Sequence, residues 1–88
     1  MLTLYRLEIF IAVAKHLNIT RAARELHVSQ SAVSQQIERL EENLRVTLIK
    51  KKRRGVELTK FGGSARIDIE KILLRLHTLK KKFGPRDG

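Results

Sequence analysis

The sequence predicts a mainly α-helical fold: three helices, a β-hairpin and one long closing helix. Apolar residues recur at helical spacing through residue 44. The pattern then switches to strand-favouring residues on either side of a basic run, and a heptad-spaced apolar row continues almost to the C-terminus.

In the first helix, Leu7, Phe10, Ile11, Ala14 and Leu17 follow the i, i+3, i+4, i+7 pattern of one buried face, with Thr3 placed as N-cap. Asn18-Ile19-Thr20 interrupts that pattern. Thr20 is expected to cap a short second helix ending at Leu26, in which Ala22 and Ala23 are small enough for two helices to approach closely. His27-Val28 turns the chain, and Ser29 caps a third helix to about Leu44, whose apolar positions Val33, Ile37, Leu40 and Leu44 step by 4, 3 and 4.

Val46-Thr47-Leu48-Ile49 and Val56-Glu57-Leu58-Thr59 read as the two strands of a hairpin, with Lys50 to Arg54 as its exposed tip. Gly55 supplies the positive φ that a tight connection needs. Thr59 then caps a helix running to about Phe83, stopped by Gly84-Pro85. Along it Ala65, Ile69, Ile72, Leu76, Leu79 and Phe83 step by 4, 3, 4, 3 and 4, flanked by Arg66, Glu70, Lys71, Arg75 and Lys80. An amphipathic helix packed on its own core would show a similar row. A helix of 24 residues, however, spans about 36 Å, more than the preceding 59 residues can cover. A second copy is the simplest cover, so a homodimer through this row is expected. The expected organisation is a body over 1–59, a linker and dimerisation helix over 60–83, and a tail over 84–88.

Composition narrows the function. Eighty-eight residues suit one small domain, and 42% hydrophobic content supports a core and argues against a disordered basic tail. The absence of cysteine excludes a disulfide framework and a thiolate zinc site. His16, His27 and His77 lack metal-ligand spacing, and there is neither a phosphate-cradling glycine loop nor a nucleophile–base pair, so no enzyme, metal or cofactor is expected. The longest apolar run, Ile9 to Ala14, is six residues against the roughly 20 that span a bilayer, which makes the cytoplasm the default location.

The net charge of +10 lies entirely in residues 45–88, which carry fourteen basic and four acidic side chains, while residues 1–44 balance. The run Lys50 to Arg54 is an electrostatic footprint for a polyanion, although a solvated loop or an import signal has the same composition. The third helix supplies the discriminating pattern. Away from its apolar face it presents Ser31, Ala32, Ser34 and Gln35 in its first half and Glu38, Arg39 and Glu42 in its second, with Glu41 adding to the acidic character there. Phosphates repel the acidic half, so a duplex accepts this helix only by its N-terminal tip, where free N–H groups and the helix dipole favour an anion. Gln30 and Gln35 can donate and accept at once, as adenine requires, and the small residues permit close approach to base edges and thymine methyls. A short helix, a turn, a longer helix and a basic hairpin follow the order of a winged helix-turn-helix, in which Arg53 or Arg54 reaches an adjacent minor groove.

These residues resemble the DNA-binding domain of LysR-type transcriptional regulators over nearly the whole chain. The resemblance is carried by Leu7, Phe10, Val13 and Ala14; by Thr20, Ala22, Ala23, Leu26, His27, Val28, Ser29, Gln30, Val33, Ser34 and Gln36; and by Leu40, Glu41, Leu44, Arg54, Gly55, Leu58, Thr59 and Gly62. It implies major-groove reading by Gln30, Ser31, Ala32, Ser34 and Gln35, phosphate contacts from Thr20, Arg21 and Thr59, a wing arginine at Arg54, and antiparallel pairing of the last helix. Ser31 stands where the family usually has proline, Gln35 where arginine is common, and Arg45 where a glycine usually ends the recognition helix. A left-handed Arg45 would cost about 1 kcal/mol. Gly63 beside Gly62 weakens the start of the last helix by about 1 kcal/mol relative to alanine. The family's effector-binding domain has no counterpart here, so no small-molecule effector is expected within this chain. Two other functions fit the composition less well: a basic nucleoid or RNA-binding protein acting by charge alone, and a module that titrates a longer regulator through the last helix. An RNA binder would more often offer aromatic platforms than this chain's Tyr5, Phe10, Phe61 and Phe83, all at apolar-face positions.

Overall fold

A computed structural model describes residues 1–84. Its elements are α1 (Leu4–His16), α2 (Ile19–Leu26), α3 (Gln30–Leu44), β1 (Ile49–Lys51), β2 (Val56–Leu58) and α4 (Lys60–Phe83). Thr3 caps α1 as expected, its hydroxyl accepting the Arg6 N–H at 3.2 Å. The helix ends where Leu17 turns left-handed at φ 50° and returns its N–H to the Val13 carbonyl. That reversal places the first unsatisfied donors of α2 earlier than the sequence pattern suggested. Asn18, not Thr20, is the N-cap: its side-chain oxygen accepts the Arg21 N–H at 2.9 Å, and Thr20 lies within the first turn with its side chain exposed. Asparagine outranks threonine at this position because its short amide reaches the free N–H readily.

Leu26 leads into a left-handed His27, and Ser29 caps α3 by accepting the Ala32 N–H at 3.0 Å. The three helices enclose Ile9, Phe10 and Val13 from α1, Ala22 and Ala23 from α2, and Val33, Ile37 and Leu40 from α3. At its far end α3 stops at Arg45, which adopts φ 58°. The left-handed conformation considered for this position is therefore present, with the steric cost of a Cβ that glycine would avoid.

The hairpin is shorter and later than its sequence pattern. β1 begins at Ile49 rather than Val46 because the preceding N–H groups are spent on α3: Val46 donates to the Glu41 carbonyl at 3.2 Å and Leu48 to the Glu41 carboxylate at 2.6 Å. The strands pair antiparallel with Ile49 opposite Leu58, Lys50 opposite Glu57 and Lys51 opposite Val56. Lys50 and Lys51 are thus strand residues, and Thr59 leaves the sheet to cap α4. The tip runs over Lys52–Gly55, closed by the Lys52 N–H on the Gly55 carbonyl at 3.0 Å, with Gly55 at φ 78°. A side chain at Gly55 would also collide with the Leu17 carbonyl, the group that anchors the hairpin by accepting the Val56 N–H at 3.0 Å.

Thr59 accepts the Gly62 N–H at 3.0 Å and donates to the Thr47 carbonyl at 2.6 Å, drawing the start of α4 against the segment before β1. Further along, Arg66 pairs with Glu70 at 2.7 Å and reaches the Ala14 carbonyl in the last turn of α1 at 3.5 Å. The expected apolar row of α4 divides here. Ile69 is buried in the chain's own core, with Ala65 half-buried against it, so Ile69 is removed from the surface offered to a partner. Ile72, Leu79 and Phe83 are 50%, 54% and 62% exposed as α4 leaves the body, and Leu76 is half-buried. Leu73, outside the heptad row, packs on the core instead, while Ile67 and Leu74 are exposed. The expected tail lies outside the described residues apart from Gly84.

The two adjacent glycines make opposite demands. A Cβ at Gly62 would overlap the Leu48 carbonyl, whereas one at Gly63 meets nothing within 4 Å. Gly62→Ala is expected to destabilise the fold by about 1–3 kcal/mol, as overpacking does. Gly63→Ala should stabilise it by about 1 kcal/mol, as a helix-interior glycine replacement does. Urea unfolding of the two variants checks both signs.

Candidate nucleic-acid interface

The tip of α3 is built by the turn before it. Val28 donates its N–H to the Ala23 carbonyl at 3.0 Å, which ends α2 and aims the chain into Ser29. The Ser29 hydroxyl lies 3.1 Å from that of Ser31, so the cap and the first turn share one hydrogen-bonding cluster. Gln30, Ser31 and Gln35 are exposed, while Ala32 and Ser34 are half-buried beside them. The surface of the tip is uncharged, and its free N–H groups make it the positive end of the helix dipole.

Arg53 and Arg54 are exposed at the wing, as are Lys50, Lys51 and Lys52. Lys52 is bound to Glu57 at 3.0 Å, which holds one cation against the second strand. Three elements meet near the hairpin. Thr20 shares a cleft with Lys51 and Lys52, and Ser34 and Glu38 share a neighbouring cleft with Lys51. The start of α2, the first half of α3 and the wing strand therefore border one continuous region, with exposed Arg21 next to Thr20.

Thr59 stands apart from this group. It is half-buried, and its single hydroxyl proton goes to the Thr47 carbonyl, so its side chain has no donor left for a phosphate. It positions the hairpin relative to α4.

Several positioning residues escaped the sequence pattern. Glu41 accepts the N–H groups of Leu48 and Ile49 at 2.6 and 3.3 Å, so it faces the hairpin rather than adding to an outward acidic patch. Arg6 joins α1 to α3 through the Gln36 side chain at 3.0 Å and the Asn43 side chain at 2.9 Å, and also donates to the Met1 carbonyl. The signal for Glu41 was its place one turn before the helix end, where a carboxylate can reach back over the following segment. Arg6 had no sequence signal beyond its place beside the apolar face.

Lys15 and His16 of α1 lie 2.9 and 3.0 Å from the Glu25 carboxylate of α2. Hydrogen bonds from Lys15 and then His16 hold the Glu25 carboxyl below its ordinary value. A depressed carboxyl contributes stability above its unfolded pKa and loses it as the pH falls through the folded one. No helix among the described residues is long and apolar enough to cross a membrane, and among them no cluster of His, Asp and Glu side chains is arranged to hold a metal.

The sequence pattern of the bacterial regulatory helix-turn-helix proteins of the lysR family matches residues 4–63. The glycine cleavage system transcriptional activator of Escherichia coli K12 is 42% identical over 82 residues, covering 93% of this chain and 27% of that protein. Its Haemophilus influenzae homologue is 47% identical over 77 residues, covering 88% of this chain and 26% of that one. Among solved structures, the CbnR DNA-binding domain in complex with DNA superposes with a TM-score of 0.88 at 36% identity, over 92% of this chain and 93% of that chain. The BenM DNA-binding domain bound to benA site 1 DNA gives 0.88 at 29% identity, over 93% and 95%. The fold is that of a winged helix-turn-helix DNA-binding domain. The chain belongs to the LysR family of bacterial regulatory proteins, and it spans about a quarter of the length of the curated relatives it matches.

Removing the Glu41 carboxylate leaves two partly buried N–H groups unpaired. Glu41→Ala is expected to cost about 1–3 kcal/mol. Amide hydrogen exchange should accelerate at Leu48 and Ile49 more than at Leu40 in the core, and unchanged exchange at both would contradict the clamp.

Proposed function

We propose that this chain regulates transcription by binding double-stranded DNA at a specific sequence, with residues 29–44 entering the major groove and the basic wing over residues 50–55 meeting the adjacent minor groove. The observation that carries this assignment is the uncharged, exposed tip of α3 beside a wing of exposed cations. Base-edge contacts fall to Gln30, Ser31, Ala32, Ser34 and Gln35, with Ser29 setting the direction of the helix. Thr20 and Arg21 lie where the duplex backbone would pass, and Arg53 and Arg54 supply the minor-groove grip. Thr59 acts through the placement of the wing.

Residues 1–59 form the reading unit, and residues 60–83 pair two copies. Exposed Ile72, Leu79 and Phe83, with half-buried Leu76, form the pairing row, supported by Ala65 and by Ile69 from below. A dimer would recognise an interrupted inverted repeat with half-sites about 10 bp, or a multiple of it, apart. The chain acts by binding, as a non-enzymatic regulator in the cytoplasm at the nucleoid. Its relatives named above are transcriptional activators.

Selection of bound fragments from random duplex DNA defines the site, and variants then separate the roles. Gln30→Ala should lose about 1–3 kcal/mol of discrimination at one base pair. Arg54→Ala should weaken binding to all sequences alike and reduce the salt slope by about 1. Equal losses on selected and random duplexes for both variants would favour binding by charge alone. Leu79→Asp changes a side chain that is exposed in the single chain, so it should yield folded monomers by sedimentation. Persistent dimers would contradict the pairing row.

A further inference from the structure

Ser31, Ser34, Gln35 and Glu38 stand at i, i+3, i+4 and i+7 along α3, so one stripe carries three uncharged residues and then a carboxylate. Glu38 is exposed, and it is the acidic residue of α3 nearest the tip. Among the described residues it belongs to no ion pair. The other two acidic residues of the helix are placed differently. Glu41 turns its carboxylate to the Leu48 and Ile49 N–H groups at 2.6 and 3.3 Å. Glu42 lies one turn further from the tip and lines, with Arg45, Thr47 and Phe61, a cleft at the far end of α3. Glu38 borders that cleft as well, but it also lines the cleft beside the wing strand, together with Ser34 and Lys51.

We propose that Glu38 is a specificity-determining residue: its carboxylate accepts a hydrogen bond from the 4-amino group of a cytosine in the major groove and rejects the other bases at that position. The proposal rests on the entry of α3 into the major groove set out above, and it extends reading one turn beyond Ser34, about 6 Å along the helix. The chemistry of the groove decides the base. A carboxylate only accepts, and the major groove offers it donors on cytosine N4 and adenine N6 alone. Adenine carries the N7 acceptor beside its amino group, whereas cytosine presents no acceptor of its own there. Guanine N7 and O6 and thymine O4 all repel an anion.

Lys51 makes the placement of a carboxylate here tolerable. It borders the same cleft from β1, where its ammonium offsets the repulsion between Glu38 and passing phosphates, yet no ion pair joins the two side chains. The result is specificity by exclusion. An anion on the reading face weakens binding to every duplex, and the loss is offset only where the amine stands opposite it.

Selection from random duplex DNA with three chains tests the residue. The wild-type chain should prefer cytosine at one position where Glu38→Ala prefers it about tenfold less. Glu38→Gln should favour adenine there, because an amide donates to N7 while accepting from N6. Glu38→Ala should also bind a duplex lacking that cytosine several-fold more tightly than the wild-type chain does, whereas loss of a merely structural side chain weakens binding. Pyrimidin-2-one in place of the selected cytosine removes its 4-amino group, and should weaken wild-type binding about tenfold more than it weakens binding by Glu38→Ala. Equal losses for the two chains would overturn the assignment to Glu38. So would a Glu38→Ala selection identical to the wild-type one while Gln30→Ala relaxes its own position, and in that case the reading helix would stand. If neither variant changed the selected sequence, major-groove entry and the Glu38 contact would fall together.

Discussion

The Leu48 side chain is wholly buried, its N–H is held by the Glu41 carboxylate of α3, and its carbonyl accepts the Thr59 N–H at 2.9 Å where α4 begins. Gly62 lets α4 pass directly over that carbonyl. One peptide segment thus fixes three elements relative to one another: α3, the hairpin that follows and α4. The hairpin has only three residues per strand, too few to hold a position unaided, and it relies on this clamp and on the Val56 bond to the Leu17 carbonyl. A reading helix contributes specificity only when the grip beside it is held at a fixed offset, because misplacing either forfeits contacts of the other.

Much of this was legible because period and capping agree. Val33, Ile37 and Leu40 repeat at helical spacing, and Ser29 and Thr59 are caps in both sequence and structure. The misplacements arose where backbone donors were satisfied by distant groups. Thr20 looked like a cap until Leu17 turned left-handed and moved the helix start to Asn18. Val46 to Leu48 have strand composition, but Glu41 takes two of their N–H groups and delays the sheet. The heptad row of α4 carried no sign that Ile69 would turn inward while Ile72 stayed out, since that depends on where the body ends beneath the helix. Within the candidate interface, the exposed residues of α3 and the wing follow from pattern, whereas the structural use of the Thr59 hydroxyl depends on a carbonyl twelve residues earlier in sequence.

In the proposed mode of binding, charge placement assigns specificity and affinity to different elements. The tip of α3 carries no formal charge, so its contribution to the proposed complex would be hydrogen bonding and fit, which are short-ranged and sequence-dependent. In the proposed complex the grip comes from the exposed cations of the wing, which would attract any duplex and whose effect salt screens. Pairing of two chains, as proposed, would add a second tip at a fixed spacing and extend discrimination over a longer site.

Methylation interference on a selected duplex tests the central claim most directly, since it reports which groove each element enters. Methyl groups on guanine N7 should block binding within two inner segments separated by about one helical turn, and methyl groups on adenine N3 should block it at the flanks where the wings lie. Interference spread evenly along the duplex, or confined to the minor groove, would mean that the tip of α3 does not face the bases.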